Sequence, residues 1–170
     1  MIDPKLEEHC KAIVQQARRN LEQDGHLDTV AFVGDTATGQ IIPIALQATS
    51  DVQRGQCARL IQTTAATINA DFVFMVSEDR ELAPQQAHRH SDILRKHGSI
   101  GASPYPAETV YFTLETQTGA WIAPVRVQPH PLIKNRRTFR EVTFRKQQEG
   151  EVLGPYSGCL PRATPRGTMH

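Results

Sequence analysis

The stretch "SEDRELAPQQAHRHSDILRKH" holds the only clustered histidines of the chain, His88, His90 and His97, downstream of a glutamate, Glu78. Imidazole nitrogens with a carboxylate are ordinary ligands of zinc and related divalent ions. Two residues apart, His88 and His90 share a face on a strand, whereas on a helix they point about 200° apart. A site built from Glu78, His90 and His97 needs the intervening loop to fold back on the end of the preceding strand. A solvated, weakly helical segment accounts for the same letters without any metal.

Other catalytic patterns fit less well. Glu108 and Glu115 flank a later strand and, with Glu78, could form a carboxylate set for acid–base or metal work. Equally, Glu78 marks the exit of a core strand, or pairs with Arg80. The serines lack a GxSxG context, and "GDTATGQ" has no Lys-Ser/Thr, so it reads as a hairpin turn and not a phosphate-cradling loop. A metalloprotease of the JAMM type requires His-x-His, then Pro, then Ser-x-x-Asp; "HRHSD" supplies the first part alone.

The segment "RVQPHPLIKNRRTFREVTFRK" is denser in charge than any other. It carries Arg126, Lys134, Arg136, Arg137, Arg140, Arg145 and Lys146 against a single acid, Glu141, with Phe139 and Phe144 interleaved. Cations of this density can follow a phosphate backbone while aromatic rings stack on bases, or they can meet an acidic protein surface. The plainer reading is a strand whose cationic outer positions resist edge pairing.

Composition limits the classes. At 170 residues, 39% hydrophobic and 22% charged with net charge +1, the chain is neither disordered by charge nor drawn in bulk to polyanions. No apolar run reaches the length of a membrane span, and "MIDPKLEEHCK" has no signal-peptide pattern, so a cytoplasmic protein without membrane association is expected. The three cysteines form neither a disulfide framework nor a zinc knuckle. Cys10 and Cys57 fall on apolar helix faces as packed thiols, and Cys159 lies in a tail where nothing indicates a partner.

The elements that must position these residues follow from local signals. Asp3 caps a helix with Pro4 at its first position, and Leu6, Cys10, Ile13, Val14, Ala17 and Leu21 give it one stripe, ending at Asp24-Gly25. "DTVAFVG" and "QIIPIALQ" form a hairpin about "DTATG", with Pro43 confining the second strand to an edge or a bulge. Ser50 and Gln53 open a second helix with Val52, Cys57, Leu60, Ile61, Thr64 and Ile68 on its packed side, closing near Asn69. "FVFMV" does not alternate, which implies a strand covered on both faces or a central position in the sheet. Residues 84–97 form a short surface helix, "GSIGASPYP" a loop, "ETVYFTLETQTGAWIAPVRVQP" a hairpin, and "TFREVTFRK" a last strand.

The expected fold is α+β: an antiparallel or mixed sheet of about five to six strands with two main helices, in the order α-β-β-α-β-(α)-β-β-β. Residues 1–150 make one domain, and residues 151–170 an irregular tail.

Through "NADFVFMVSE" and "ASPYPAETVYFTLET" the chain resembles a group of small bacterial and phage α+β proteins of unknown activity, over roughly residues 5–128. In that group the glutamate is followed by a small residue and tryptophan, and an Asp-Arg pair precedes the later strand; here Asp79-Arg80 and Pro106-Ala107 stand instead. The resemblance implies the order of elements and no chemistry. The reading that follows is a non-enzymatic binding module that engages an acidic partner, protein or nucleic acid, through residues 126–146 and requires no cofactor. The alternative is a metal-dependent hydrolase with a divalent ion at Glu78, His88, His90 and His97.

Overall fold

The computed structural model describes residues 2–47, 50–79, 109–148 and 158–160. Within them the chain is an α+β fold of two helices and one antiparallel sheet. The elements run α1 (Pro4–Asp24), β1 (Val30–Asp35), β2 (Gln40–Ala45), α2 (Asp51–Ile68), β3 (Phe72–Asp79), β4 (Thr109–Thr116), β5 (Gly119–Pro129), β6 (Arg137–Phe139) and β7 (Arg145–Lys146). The sheet order is β2-β1-β3-β4-β5-β6, with β7 also paired to β5. Pro43 lies on β2 and therefore at the edge, where a missing N–H costs no ladder bond. No described helix is long and apolar enough to cross a membrane.

Both helices start and stop where the sequence signals do. The Asp3 carboxylate accepts from Lys5 N at 2.9 Å, and Ser50 Oγ accepts from Gln53 N at 3.2 Å. Gly25 (φ 79°) and Asn69 (φ 53°) end them in the left-handed conformation.

The helices cover opposite faces of the sheet. On the first face, Leu6, Cys10, Val14, Ala17 and Leu21 of α1 join Phe72, Phe74 and Val76 of β3, Val110, Phe112 and Leu114 of β4, and Trp121, Ala123 and Val125 of β5 in one core. On the second, Ile61 and Ala65 of α2 pack with Ala31 and Val33 of β1 and Val73 of β3. Alternate residues of β3 thus enter different cores, which explains an apolar run with no polar side. Each such side chain contributes about 1.5–3 kcal/mol when fully buried.

Two local expectations change. Val52 and Leu60 are 72% and 51% exposed, so neither belongs to the packed side of α2. Val52 precedes Ile61 by nine residues, about two and a half turns, and so points away from it; the packed line is Ile61 and Ala65 with Cys57, Ala58 and Ile68 beside them. Second, "TFREVTFRK" is two short strands and not one. Phe139 and Phe144 both pack into the first core. Five residues apart, they cannot share a face of a continuous strand, so the pairing breaks between them. Cys159, expected without a partner, is buried in the second core.

Gly34 is held to glycine by close approach. A Cβ there would lie 2.3 Å from Cζ and 2.5 Å from Cε1 of Phe72, a ring with no exposed surface. Gly34→Ala is expected to cost about 1–3 kcal/mol in urea unfolding, as overpacked cores do, and Phe72→Leu in the same chain should recover part of that loss. Simple additivity of the two changes would show that the ring is not what excludes the methyl group.

Candidate functional site

The last turn of α1 reads Leu21-Glu22-Gln23-Asp24, with two acids and no base at the negative end of the helix dipole. The basic segment supplies what is missing. Arg136 Nη1 donates to Gln23 O at 2.6 Å and Arg137 Nη2 to Gly25 O at 2.7 Å. One turn back the direction reverses: Arg18 Nε donates to Phe139 O and its Nη2 to Arg140 O, both at 3.1 Å, with the guanidinium 4.7 Å above the Phe139 ring. Thr138 Oγ1 donates to Glu22 Oε1 at 3.2 Å.

Between β5 and β6 the same contacts hold a tight turn. His130 Nδ1 accepts from Leu132 N at 3.1 Å and from Ile133 N at 3.0 Å, while His130 N donates to Arg136 O at 2.8 Å. Two backbone N–H groups are thus aimed at Nδ1, while Nε2 on the other side of the ring faces Glu22 Oε2 at 3.7 Å. Asn135 closes the turn at φ 64°. Leu132 and Ile133 are thereby displayed to solvent, 89% and 50% exposed.

The seven cations therefore do different things. Arg136 and Arg137 hold α1. Lys134 is exposed on the turn, Arg126 on β5, and Arg140 just past β6. Arg145 and Lys146 are exposed on β7, opposite Ile122 and Trp121. With β6 opposite residues 127–129, the cations are spread along β5 over about eight residues, some 25 Å. Phe139 is 2% exposed, and Phe144 packs edge-on against Phe74 at 5.9 Å between centroids. Phe139 has no face left for a base.

The carboxylates do not converge. Glu78 lies opposite Val110, toward the first core, and its Oε2 accepts from Leu27 N at 3.1 Å, tying the end of β3 to the segment after α1. Glu115 lies opposite Val73, toward the second core. The two are on opposite faces of the sheet, so they cannot act as a pair. His88, His90, His97 and Glu108 lie outside the described residues. Among the described residues no group of three or more His, Cys, Asp or Glu side chains is arranged to hold a metal.

No family model, no curated protein and no solved structure matches the chain. Function must therefore be argued from the side chains themselves.

An open groove of about 690 Å³ lies between α1 and residues 141–144, lined by Val14, Trp121 and Phe144 with Glu7, Lys11 and Glu141 at its rim. Cys10 also lines it, yet burial, reinforced by the Glu7 charge, pushes that thiol up to about 12, so it is no nucleophile near neutral pH. On the other face, both oxygens of Glu115 accept from Gly158 N, at 3.0 and 3.1 Å. Burial still raises the pKa of that carboxyl above its ordinary value, the hydrogen bond opposing it.

Two results are expected. Replacing Arg136 and Arg137 together by alanine should lower stability by about 1–2 kcal/mol, the scale of charge-assisted bonds at a partly exposed helix end, and should speed amide exchange in the last turn of α1 more than in β3. Equal protection in that turn would mean that the arginines do not hold it. For Glu115, the native carboxyl keeps a proton that the unfolded chain has released, so stability falls as pH rises from the ordinary carboxylate value through the raised native one. Glu115→Gln keeps an acceptor for Gly158 and does not titrate. Relative to wild type it should gain stability as pH rises above the ordinary glutamate value, and parallel pH profiles in urea unfolding would refute this.

Proposed function

We propose that the chain is a non-enzymatic, cytoplasmic binding module of bacterial or phage type that engages an acidic partner through residues 126–146. The observation that carries this reading is the set of exposed cations Arg126, Lys134, Arg140, Arg145 and Lys146 carried by β5, by β7 and by the residues flanking β6, in a segment whose one acid is Glu141. Complementary charge of this kind raises encounter rates and rejects basic surfaces. Arg136 and Arg137 contribute from behind, by fixing the turn and β6 against α1.

Of the two acidic partners, a protein surface is better supported than nucleic acid. Binding of single strands draws much of its strength from aromatic side chains that stack on bases, and here Phe139 is buried beneath Arg18 while Phe144 is engaged with Phe74. What this segment offers beyond charge is aliphatic: Leu132 and Ile133. That combination matches the core of a protein interface, where apolar anchors are ringed by polar groups.

The test is charge reversal at Lys134, Arg140 and Lys146, leaving Arg136 and Arg137 intact so that α1 keeps its contacts. With fluorescent polyglutamate as probe, wild type should bind at low salt and weaken as salt rises past the point where the Debye length is about 10 Å. The triple variant should bind at least about tenfold more weakly, the scale expected when a few close charge pairs are lost, with an unchanged unfolding midpoint. Equal binding by the two proteins would eliminate this surface as the site.

A further inference from the structure

We infer that Leu132 and Ile133 are the anchor of this surface, and that its occupant is an acidic, amphipathic segment of another protein whose apolar side chains cover these two residues while its carboxylates meet the flanking cations. The inference rests on the acidic-partner reading and adds to it the apolar half of the recognition. Two adjacent aliphatic side chains, 89% and 50% exposed, stand at the tip of the turn between β5 and β6. Surface leucines are common singly; an exposed pair held in one geometry is not needed for folding, since neither side chain belongs to either core.

The turn is built to hold them there. Its two ends are joined by the bond from His130 N to Arg136 O, its interior by the two backbone N–H groups directed at His130 Nδ1, and its base to α1 through Glu22 and through the Arg136 bond to Gln23 O. Order of this kind, already present in the unbound chain, reduces the entropy lost when a partner docks. A shaped protein surface gains from such rigidity, whereas a fluid bilayer gains little. Charge complementarity sets the sign of the partner: Lys134 adjoins Ile133 in the turn, and Arg136, Arg137 and Arg140 follow with no acid among residues 131–140. On α1, the Glu22 carboxylate is already directed at His130 and Thr138.

The experiment compares two fluorescent peptides of equal length and equal negative charge. One alternates Glu with Leu at helical spacing, and the other replaces every Leu by Ser. Anisotropy titrations at about 50 mM salt, where surface charge is only partly screened, use wild type, the double variant Leu132→Ser/Ile133→Ser, and Lys134→Glu/Arg140→Glu. Wild type should prefer the leucine peptide by about tenfold or more, as loss of a buried aliphatic pair implies. The serine double variant should lose that preference while binding the serine peptide as wild type does, and the charge variant should weaken both.

Equal binding of the two peptides by wild type, or a preference that survives the serine substitutions, overturns the anchor and leaves the acidic-partner reading standing. Failure to bind either peptide overturns both. Vesicles containing phosphatidylserine serve as a third probe: tighter capture by them, dependent on Leu132 and Ile133, would assign the tip to a membrane surface and overturn the protein occupant. Because both side chains are exposed, the serine variant should keep the wild-type unfolding midpoint, so a loss of binding cannot be ascribed to unfolding.

Discussion

The C-terminal end of α1 is an electrostatic debt within the chain's own sequence. Its last turn places Glu22 and Asp24 where the helix dipole is already negative, an arrangement that destabilises an isolated helix. The chain satisfies it from more than one hundred residues away, with Arg136 and Arg137 on two of the terminal carbonyls and Arg18 returning the bond to the backbone at Phe139 and Arg140. These contacts fix β6, short as it is. β6 in turn closes the turn that begins at His130. A three-residue strand would be a weak edge by its ladder alone; joined to α1 by side chains, it becomes a fixed margin of the domain.

The sheet supplies the platform on which that joint works. β3 is central, with one set of its side chains under α1 and the other toward α2. Phe74 and Phe112 lie 6.0 Å apart between ring centroids, and Phe112 meets Phe139 edge-on at 5.6 Å. Aromatic contacts of this geometry add to what burial alone provides. Phe139 thus enters the core as the far end of a row of rings that crosses from β3 through β4 to β6. The polar bonds to α1 act on Arg137, Thr138 and Phe139, and the aromatic row holds Phe139 as well.

How much of this was legible in the sequence follows the range of the interactions. Helix caps depend on residues two to four positions apart, and Asp3, Pro4, Ser50 and the glycine and asparagine stops could be read directly. Alternation in β4 and its absence in β3 likewise reflect the immediate neighbours on a pleated strand. The use of Arg136 and Arg137 could not be read, because their acceptors are backbone carbonyls on a distant helix and carry no letter of their own. A faint signal did exist: a helix ending in Glu-Gln-Asp without a base needs a cation from elsewhere. The break between β6 and β7 also had a signal, in the five-residue spacing of Phe139 and Phe144, but it acquires meaning only once both rings are known to enter the same core. Glu78 and Glu115 could not be assigned to faces without the register that pairs Glu78 with Val110 and Glu115 with Val73.

Charge density in a sequence counts side chains without regard to what each one touches. In this segment the arginines at 136 and 137 are engaged by the fold, while Lys134, between the displayed aliphatic pair and those arginines, is exposed. The two groups are mechanically linked, since the residues that hold α1 are also those that close the turn around His130. Substitution of Arg136 would therefore alter the display of Leu132 and Ile133 even if no partner ever touched its guanidinium. A loss of binding after such a change would measure positioning, whereas the same loss after a change at Lys134 would measure contact. The basic segment is in this sense a joint and a surface at once, and the joint is what gives the surface a fixed shape.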